Sequence, residues 1–544
     1  MASVFHRRND DESAQAPMPA PPAPRAVGPP PPSEADARLP LIYVRGFAGG
    51  TSGIDKQVDD PFYGFNDGST HIRVGGDGNP QYYQFEGPLV RLFAVDGYRP
   101  LVSGDPKTYL ESCGANTVPR ATVWIHRFYD GAADSFGKQA VDFDLEQAAR
   151  DLYELVQLVR EKTGADKVNL IAHSMGGLVC RSMLQKWSYE SSGDFRPSAP
   201  GKDLVDKLFT YGTPHGGITF AVGSGLLDEF MEDLGPAGSD VFSPEKMYGY
   251  LVPGVTYGTE APDGWVANEI PESAFDTDRI FCMVGTDAGD YGLSQKVVGP
   301  QSDGLVAIRN AWVEGAHRAY VHRSHSGRYG LVNSEEGYQN LRRFLFGRKR
   351  VSIELAGLEA APPDRDGNPS FWQAELQLAI RGLPVVMHQQ SAPHRCPIDL
   401  EPDPAGNPIP LTTAFLLDPV TFADGSTNTP ASPRARYGLR LRVSLLTEKH
   451  GLLFWRDRLA QTADWEDTLI VDVGHEDDDP TGELRLWAAW NSDLPTAIAT
   501  QDPICDDPLD PDPDHGAASL RLPRSAGQLL GADTSLILRP ELWN

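Results

Sequence analysis

The sequence predicts an α/β protein with a mostly parallel sheet, followed by a smaller all-β, sandwich-like domain. Short apolar runs alternate with helix-like segments from about 41 to 350, whereas residues 351–544 carry strand-length runs without helical periodicity. The chain has 544 residues, and single hydrophobic cores seldom grow beyond about 250–300 residues. We therefore expect two folded units preceded by a tail.

The tail is predicted to comprise residues 1–40, which are rich in Pro and Ala and have no hydrophobic periodicity. Such composition favours an extended, disordered chain. No apolar segment follows the arginines of this tail, and no apolar run elsewhere reaches the length of a membrane span. We expect a cytoplasmic protein without a transmembrane segment, with leaderless export as the alternative.

The charge and cysteine content argue against several classes of partner. A formal net charge of −27 disfavours binding to nucleic acid or to an anionic membrane surface. The five cysteines include no CxxC pair, which argues against a disulfide framework or a zinc site. We expect no cofactor and no metal, and the sequence leaves the oligomeric state open.

The strands and helices of the α/β part are predicted from its hydrophobic pattern. Strands are predicted in "LIYVRGF", "ATVWIHRF", "KVNLIAHS", "KLFTYGT", "RIFCMVGT" and "AYVHRS". Between the second and third runs, apolar residues recur at helical spacing from Leu145 to Val159, and Gly164 follows as a stop signal. A final helix is predicted in "SEEGYQNLRRFLFG", with Ser334 as its cap. This alternation is typical of a mostly parallel sheet.

Two segments, about 51–120 and about 216–273, do not fit the alternation and are interpreted as insertions over a site. In the second, "ITFAVGSGLLDEFMEDLG" places Leu227, Phe230, Met231 and Leu234 on one helical stripe. That stripe would either line a pocket for an acyl chain or belong to the ordinary core. The alternative for both segments is a packed excursion unrelated to substrate.

The all-β domain is predicted from runs such as "VSIELAGL", "FWQAELQLAI", "LLFWRDRL" and "GELRLWAAW", which are separated by Pro, Gly and Asp turns. Its acidic loops, "GHEDDDPTGE" and "DPICDDPLDPDPDHG", do not match the spacing of an EF-hand. We interpret them as solvated loops, and calcium binding is the alternative.

The stretch "NLIAHSMGGLVCR" (residues 169–181) carries the strongest functional signal. An apolar strand ends, turns within a few residues and continues as a helix, and such a corner requires small residues. Ala172, Gly176 and Gly177 meet this requirement. The polar side chain at the apex is Ser174, which we interpret as a nucleophile.

A serine nucleophile needs a base within hydrogen-bonding distance and an acid that orients the base. Asp303 stands in a turn before a short apolar run, and His325 follows the last predicted strand. His322 lies within that run and is expected to pack on a face of the sheet, and His317 precedes it. Asp287, directly after "RIFCMVGT", is the alternative acid.

These motifs resemble those of α/β-hydrolase lipases. "AHSMGG" (residues 172–177) resembles the nucleophile elbow, in the variant where alanine replaces the first glycine. "GTPHGG" (residues 212–217) is similar to the segment after the next strand, and "SDGLV" (residues 302–306) to the aspartate turn. The resemblance covers about 41–347 and does not reach the all-β domain.

The resemblance implies a catalytic triad of Ser174, Asp303 and His325. It also implies an oxyanion hole formed by the backbone N–H groups of Met175 and Phe47. In "VRGFAGG", Arg45 stands where these lipases commonly have histidine. We expect it to hold the loop through carbonyl contacts, and a solvated arginine is the alternative.

The function that follows is that of a serine esterase or lipase, acting on a small-molecule or lipid ester through an acyl-enzyme. An acyltransferase would use the same residues with an alcohol as second substrate. A binding protein built on a hydrolase scaffold is a third possibility, and turnover of a short-chain ester would argue against it.

Overall fold

The computed structural model describes residues 38–46, 72–74, 80–82, 87–100, 105–128, 145–189, 200–218, 244–289, 298–326, 330–417, 434–447, 463–475, 482–494, 504–512 and 517–544. The predicted tail, 1–40, lies almost entirely outside these residues. Among the described helices, none is both long enough and apolar enough to span a bilayer.

The α/β part contains a seven-stranded sheet in the order β4-β5-β1-β6-β7-β8-β9, and every neighbouring pair is parallel. A separate antiparallel hairpin joins β2 and β3. The strands are β1 (Leu41–Val44), β2 (Ile72–Val74), β3 (Pro80–Tyr82), β4 (Arg99–Pro100), β5 (Thr122–Ile125), β6 (Val168–His173), β7 (Val205–Tyr211), β8 (Ile280–Gly285) and β9 (His317–Val321).

This sheet confirms the predicted α/β-hydrolase fold, and each of the six predicted runs overlaps one of its strands. The remaining strand, β4, was not predicted. It has only two residues, and it lies within the segment 51–120 that was interpreted as an insertion, yet it pairs with β5 at the edge of the sheet.

Helices connect and cover these strands in the described part of the chain. They are α1 (Gly87–Ala94), α2 (Pro106–Ser112), α3 (Leu145–Thr163), α4 (Met175–Ser182), α5 (Gly201–Leu204), α6 (Pro244–Leu251) and α7 (Glu335–Phe346). α3 buries the predicted stripe, and Gly164 follows it with φ +66°, a left-handed conformation that glycine adopts readily. At α7, the Ser334 side chain accepts a hydrogen bond from the N–H of Gly337, as a helix cap does.

The residues after α7 form two antiparallel sheets, of five and six strands, in the orders β14-β10-β20-β19-β18 and β12-β11-β15-β16-β17. β13 pairs with β11. The strands are β10 (Lys349–Ala356), β11 (Ser370–Ile380), β12 (Val386–Gln390), β13 (Ile398–Leu400), β14 (Ile409–Leu416), β15 (Ala435–Thr447), β16 (Trp465–His475), β17 (Leu484–Trp490), β18 (Pro511–Asp512), β19 (Ala517–Arg521) and β20 (Ser535–Leu542).

Both of these sheets contribute to one apolar core, which confirms the sandwich-like all-β unit. Burial alternates residue by residue along β10, as expected for a strand with one buried face. A short helix, α8 (Arg524–Leu530), was not predicted. The predicted strand "LLFWRDRL" lies outside the described residues, and the predicted domain boundary at 350 stays a prediction.

The last described residues of the all-β unit contact the core of the α/β part. The Trp543 indole N–H donates to the carbonyl of Phe344 at 2.7 Å, and its ring lies 5.1 Å from that of Phe415. The ammonium of Lys207 lies 4.6 Å from the Trp543 ring, and burial lowers the pKa of this lysine to about 8. Trp543 and Phe415 are therefore part of the α/β core.

Candidate active site

Ser174 occupies the sharp turn between β6 and α4. Its φ is +53° and its ψ is −128°, in a region that side chains rarely adopt. The backbone N–H of Ser174 donates to the carbonyl of Tyr211 at 2.8 Å, and the Thr213 hydroxyl donates to the carbonyl of Ser174 at 2.8 Å. The strand after the elbow therefore holds the strained conformation from both sides.

Two glycines allow the backbone to approach this turn closely. A Cβ atom at Gly176 would lie 2.3 Å from the carbonyl oxygen of Val44, so no other residue fits there without a shift of β1 or α4. A Cβ atom at Gly46 would lie 2.8 Å from the Cβ of Ser174. The loop after β1 thus passes directly beside the serine.

The structure brings the three predicted triad side chains together. His325 Nε2 lies 2.9 Å from Ser174 Oγ, and His325 Nδ1 lies 2.8 Å from Asp303 Oδ2. All three are buried, with exposed fractions of 6 % for Ser174, 3 % for His325 and 0 % for Asp303. They follow β6, β9 and β8 at the carboxyl edge of the parallel sheet, where open α/β sheets bind ligands.

Asp303 is fixed by a tight loop. Its Oδ1 accepts hydrogen bonds from the backbone N–H groups of Leu305 at 3.0 Å and Val306 at 2.7 Å, which leaves Oδ2 for His325. The N–H of His325 in turn donates to the carbonyl of Asp303 at 2.8 Å. Backbone and side chain together set the orientation of the carboxylate toward the imidazole.

The alternative acid, Asp287, contacts a different histidine. Its Oδ2 lies 4.0 Å from Nε2 of His322, and its Oδ1 accepts from the N–H of Gly289. His322 lies just after β9, remains partly exposed, and stacks on His394 with ring centroids 4.0 Å apart. His317, at the start of β9, pairs with Asp278. None of these groups contacts Ser174 in the described structure.

His173 packs against His325, the predicted base. Its Nε2 lies 3.1 Å from the carbonyl oxygen of His325, and burial lowers its pKa to about 3, so the ring stays neutral at ordinary pH. The nearby positive charge of the buried Arg45 acts in the same direction. A neutral His173 ring places no positive charge beside the imidazole of His325.

Of the two predicted oxyanion donors, only Met175 lies within the described residues. Met175 is the first residue of α4 and is buried directly after Ser174, where its N–H belongs to the first turn of the helix. Phe47 lies outside the described residues, which end at Gly46 on this loop. The position of the second donor stays a prediction.

Arg181 was missed by the sequence analysis. It is completely buried on α4, and its guanidinium donates to the carbonyls of His215 at 3.0 Å, Ala267 at 2.8 Å and Glu269 at 2.9 Å, as well as to the Gln185 side chain. Burial lowers its pKa to about 9. The signal in the sequence was a lone arginine within the apolar elbow helix.

These contacts join the elbow helix to both flanking loops. His215 Nε2 lies within hydrogen-bonding distance of Thr210 Oγ1, at 3.1 Å. α6, within the second predicted insertion, packs on the elbow helix, where the Ser182 hydroxyl donates to the carbonyl of Tyr250 at 2.9 Å. The apolar stripe of Leu227, Phe230, Met231 and Leu234 lies outside the described residues.

The site contains nothing in its described part that would hold a metal. Among the described residues, no group of three or more His, Cys, Asp and Glu side chains is arranged to bind a metal ion. The available chemistry at this site is that of a hydroxyl, an imidazole and a carboxylate in series.

Comparison with known families identifies one matching segment. Residues 130–208 match the model of a family described as an alpha/beta hydrolase of unknown function. The segment contains α3, β6, the elbow and α4, and so includes Ser174 but neither Asp303 nor His325. No curated protein matches the chain.

Solved structures similar to this chain include hydrolases at low identity. A gene product of Listeria innocua is 14 % identical over 57 % of this chain and 94 % of its own, with a TM-score of 0.26. Aspergillus fumigatus lipase B is 13 % identical over 58 % and 55 %, with a TM-score of 0.23. Lipase 1 from Pelosinus fermentans is 14 % identical over 56 % and 97 %, with a TM-score of 0.23.

Proposed function

We propose that this α/β hydrolase is a serine esterase or lipase that cleaves carboxylic esters through an acyl-enzyme. The observation that carries the proposal is the continuous chain of hydrogen bonds from Ser174 Oγ through His325 to Asp303, at 2.9 and 2.8 Å, with the serine on a strained elbow. This arrangement supplies a nucleophile, a base and an orienting acid in one buried group.

In the proposed reaction, Ser174 Oγ attacks the ester carbonyl while His325 Nε2 takes the hydroxyl proton. Asp303 stabilises the resulting imidazolium through Nδ1, and the N–H of Met175 donates to the oxyanion. The tetrahedral intermediate then expels the alcohol, which receives the proton from His325. Water, deprotonated by the same imidazole, hydrolyses the acyl-enzyme and releases the carboxylic acid.

We further propose that the preferred substrates have apolar acyl groups. This part rests on the sequence of residues 218–235, whose apolar stripe follows the loop of His215 directly and would face an acyl chain. Each methylene buried on binding contributes about 0.8 kcal/mol, or roughly a fourfold gain in kcat/KM. Turnover is therefore expected to rise from acetate to octanoate esters.

The experiment combines active-site labelling with turnover. The full-length protein is incubated with a fluorophosphonate, and the labelled residue is located by mass spectrometry; p-nitrophenyl esters of increasing acyl length give kcat/KM. Ser174→Ala should remove the label and lower kcat by a factor on the order of 10⁶. Ser112→Ala, which removes an exposed hydroxyl bonded only to a nearby carbonyl, is the matched control.

The outcomes separate the three candidate functions. Labelling of a different serine would contradict the assignment of Ser174. Transfer of the acyl group to an added alcohol in preference to water would favour an acyltransferase. Absence of both label and turnover with every ester would favour a binding protein on a hydrolase scaffold.

A further inference from the structure

A cavity of about 460 Å³ lies between the α/β part and the all-β unit. One wall comes from residues 298–320 and the other from residues 390–397, and none of the triad residues lines it. Small-molecule sites typically have volumes of about 300–1,000 Å³ and occur preferentially where two units meet. The cavity has both the size and the location of a ligand site.

The lining has a definite chemical character. Arg309 lines one wall and Arg395 the other, together with the polar residues Gln301 and Gln390. None of the residues that line the cavity in the described structure is acidic, although the whole chain has a formal charge of −27. An anion is therefore favoured here over a cation or a neutral group.

Part of the lining is apolar and aromatic. Trp312 and Tyr320 line the cavity, and the guanidinium of Arg318 lies 4.1 Å from the Trp312 ring. The Tyr320 ring also contacts His388 edge-on, with centroids 5.5 Å apart. A flat or apolar body would bury its surface against such walls, which a bare inorganic anion cannot do.

The backbone at Arg395 is unusual. Its φ is +60°, and in the described residues it shares a positive φ with only two other non-glycine residues, one of which is Ser174. The N–H of Arg395 donates to the carbonyl of Ala392 at 3.0 Å, and the N–H of Cys396 donates to Ser391 at 3.2 Å, which fixes the turn. A glycine would adopt this conformation without strain, whereas an arginine adopts it at some cost.

We propose that this cavity binds a small organic carboxylate, with its carboxylate on the arginines and its flat or apolar body against Trp312 and Tyr320. Arginine pairs with carboxylates through two parallel hydrogen bonds, which accounts for the preference over a neutral ligand. The cavity wall also includes Gln301 and Ala307, which flank Asp303 in sequence. A bound carboxylate would thus contact the loop that presents the triad acid, at a site separate from that of the ester.

Isothermal titration calorimetry of the full-length protein tests the proposal with benzoate, its neutral isostere benzamide, and inorganic phosphate. Benzoate should bind at least tenfold more tightly than either of the others. Arg395→Gln should weaken benzoate binding by about tenfold or more, because a charge-assisted hydrogen bond is lost. Arg365→Gln, at an exposed arginine that does not line the cavity, should leave it unchanged.

A second variant guards against a folding defect. Arg395→Gly removes the same side chain while suiting the positive φ, so it should keep the melting temperature and still lose binding. Benzoate should also change the tryptophan fluorescence of the wild type and not that of Trp312→Phe. Equal binding of benzoate and benzamide, equal binding of phosphate, or unchanged affinity in both Arg395 variants would each overturn the proposal.

Discussion

The two parts of the molecule bury their strands in different ways. In the α/β part, every residue of β6 and of β8 is buried, because helices cover both faces of the sheet. In the all-β unit, β10 alternates buried and half-buried residues along its whole length. One sheet is thus enclosed and ends in loops at its carboxyl edge, whereas the other has an apolar inner face and a polar outer face.

Their buried charges differ in the same way. Asp303, in the α/β part, bonds to an imidazole that also bonds to the hydroxyl of Ser174. Asp472, in the all-β unit, is equally buried but pairs with an arginine, Arg436, at 2.6 and 2.9 Å. A buried carboxylate in series with a base and a hydroxyl can take part in proton transfer, whereas one paired with a permanently charged guanidinium is suited to a structural role.

The largest expected effect separates these two aspartates. Asp303→Asn should lower kcat for an ester by about 10⁴, since the amide no longer stabilises the imidazolium. Asp472→Asn should leave kcat unchanged and lower the free energy of unfolding by about 3–5 kcal/mol, because the largely buried ion pair with Arg436 loses its negative charge. Ester kinetics and urea unfolding of both variants measure the two effects.

Asp287→Asn is the control within the α/β part, because Asp287 faces His322 rather than His325. Its kcat should stay within a few-fold of the wild-type value. An equal loss of kcat at residues 287 and 303 would remove the basis for assigning the acid.

The second prediction concerns a residue that crosses between the parts. Trp543 follows the last strand of the all-β unit but belongs to the α/β core, with an exposed fraction of 3 %. Trp543→Ala should lower the free energy of unfolding by about 3–5 kcal/mol and should lower the melting temperature of the α/β part. Trp490→Ala removes a tryptophan that is buried inside the sandwich. It should instead lower the melting temperature of the all-β unit.

Differential scanning calorimetry measures the unfolding transitions. Ester turnover, assayed after samples are heated to successive temperatures, shows which transition belongs to the α/β part. The expected pattern is early loss of activity in the Trp543 variant and not in the Trp490 variant. The same shift in both variants would mean that the two parts unfold as one cooperative unit.

The third prediction compares a buried and an exposed arginine. Arg181→Met removes the donor to the buried carbonyls of His215 and Ala267 and to the partly buried carbonyl of Glu269, and should cost about 3 kcal/mol or more. Arg440→Met breaks an ion pair with Glu466 that is largely exposed on the outer face of the sandwich, and should cost at most about 1 kcal/mol. Arg181→Lys should lower the free energy of unfolding by an amount between those of the two methionine variants. Lysine keeps the positive charge but lacks the planar guanidinium and its several donors.

Urea denaturation followed by far-UV circular dichroism measures all three variants. If Arg181→Met is as stable as the wild type, the guanidinium is not the brace that joins the elbow helix to the loops of His215 and Ala267.

The contrast between the parts also explains what the sequence could predict. Buried parallel strands read as continuous apolar runs, and the elbow requires small residues at fixed positions, so the strands and Ser174 were predictable from local pattern. The two-residue strand β4 carries no periodicity and was missed. The helix α8 falls among strand signals and was also missed.

Contacts between distant residues were not predictable. Nothing in the sequence near Trp543 indicates that it packs against Phe344, since that contact arises from the way the last strand leaves the sandwich. Arg181 shows the same limit. A lone arginine in an apolar helix indicates a buried charge, but it does not indicate which carbonyl oxygens accept its hydrogen bonds. Asp303 was predicted from its motif, but the backbone N–H groups of Leu305 and Val306 that orient its carboxylate toward His325 were not.

The smallest expected effect depends on pH and uses one buried histidine from each part. The Nε2–H of His126 donates to the Ala148 carbonyl and the Nε2–H of His388 donates to Gln390 Oε1, and burial lowers the pKa of each to about 4 from 6.5. Because the folded state disfavours the charged ring, the unfolded state binds protons first as the pH falls. Each histidine therefore contributes stability that is complete above pH 6.5 and is lost as the pH falls toward 4, with a slope of at most about 1.4 kcal/mol per pH unit.

Unfolding by urea at pH values between 7 and 4 should show this slope in both parts of the wild type. His126→Gln should reduce it for the α/β part alone, and His388→Gln for the all-β unit alone, because glutamine keeps a hydrogen-bonding side chain without a titratable ring. A slope that is unchanged in both variants would mean that neither ring is held neutral by burial. A slope reduced in both parts by either variant would show that the interface at Trp543 couples their unfolding.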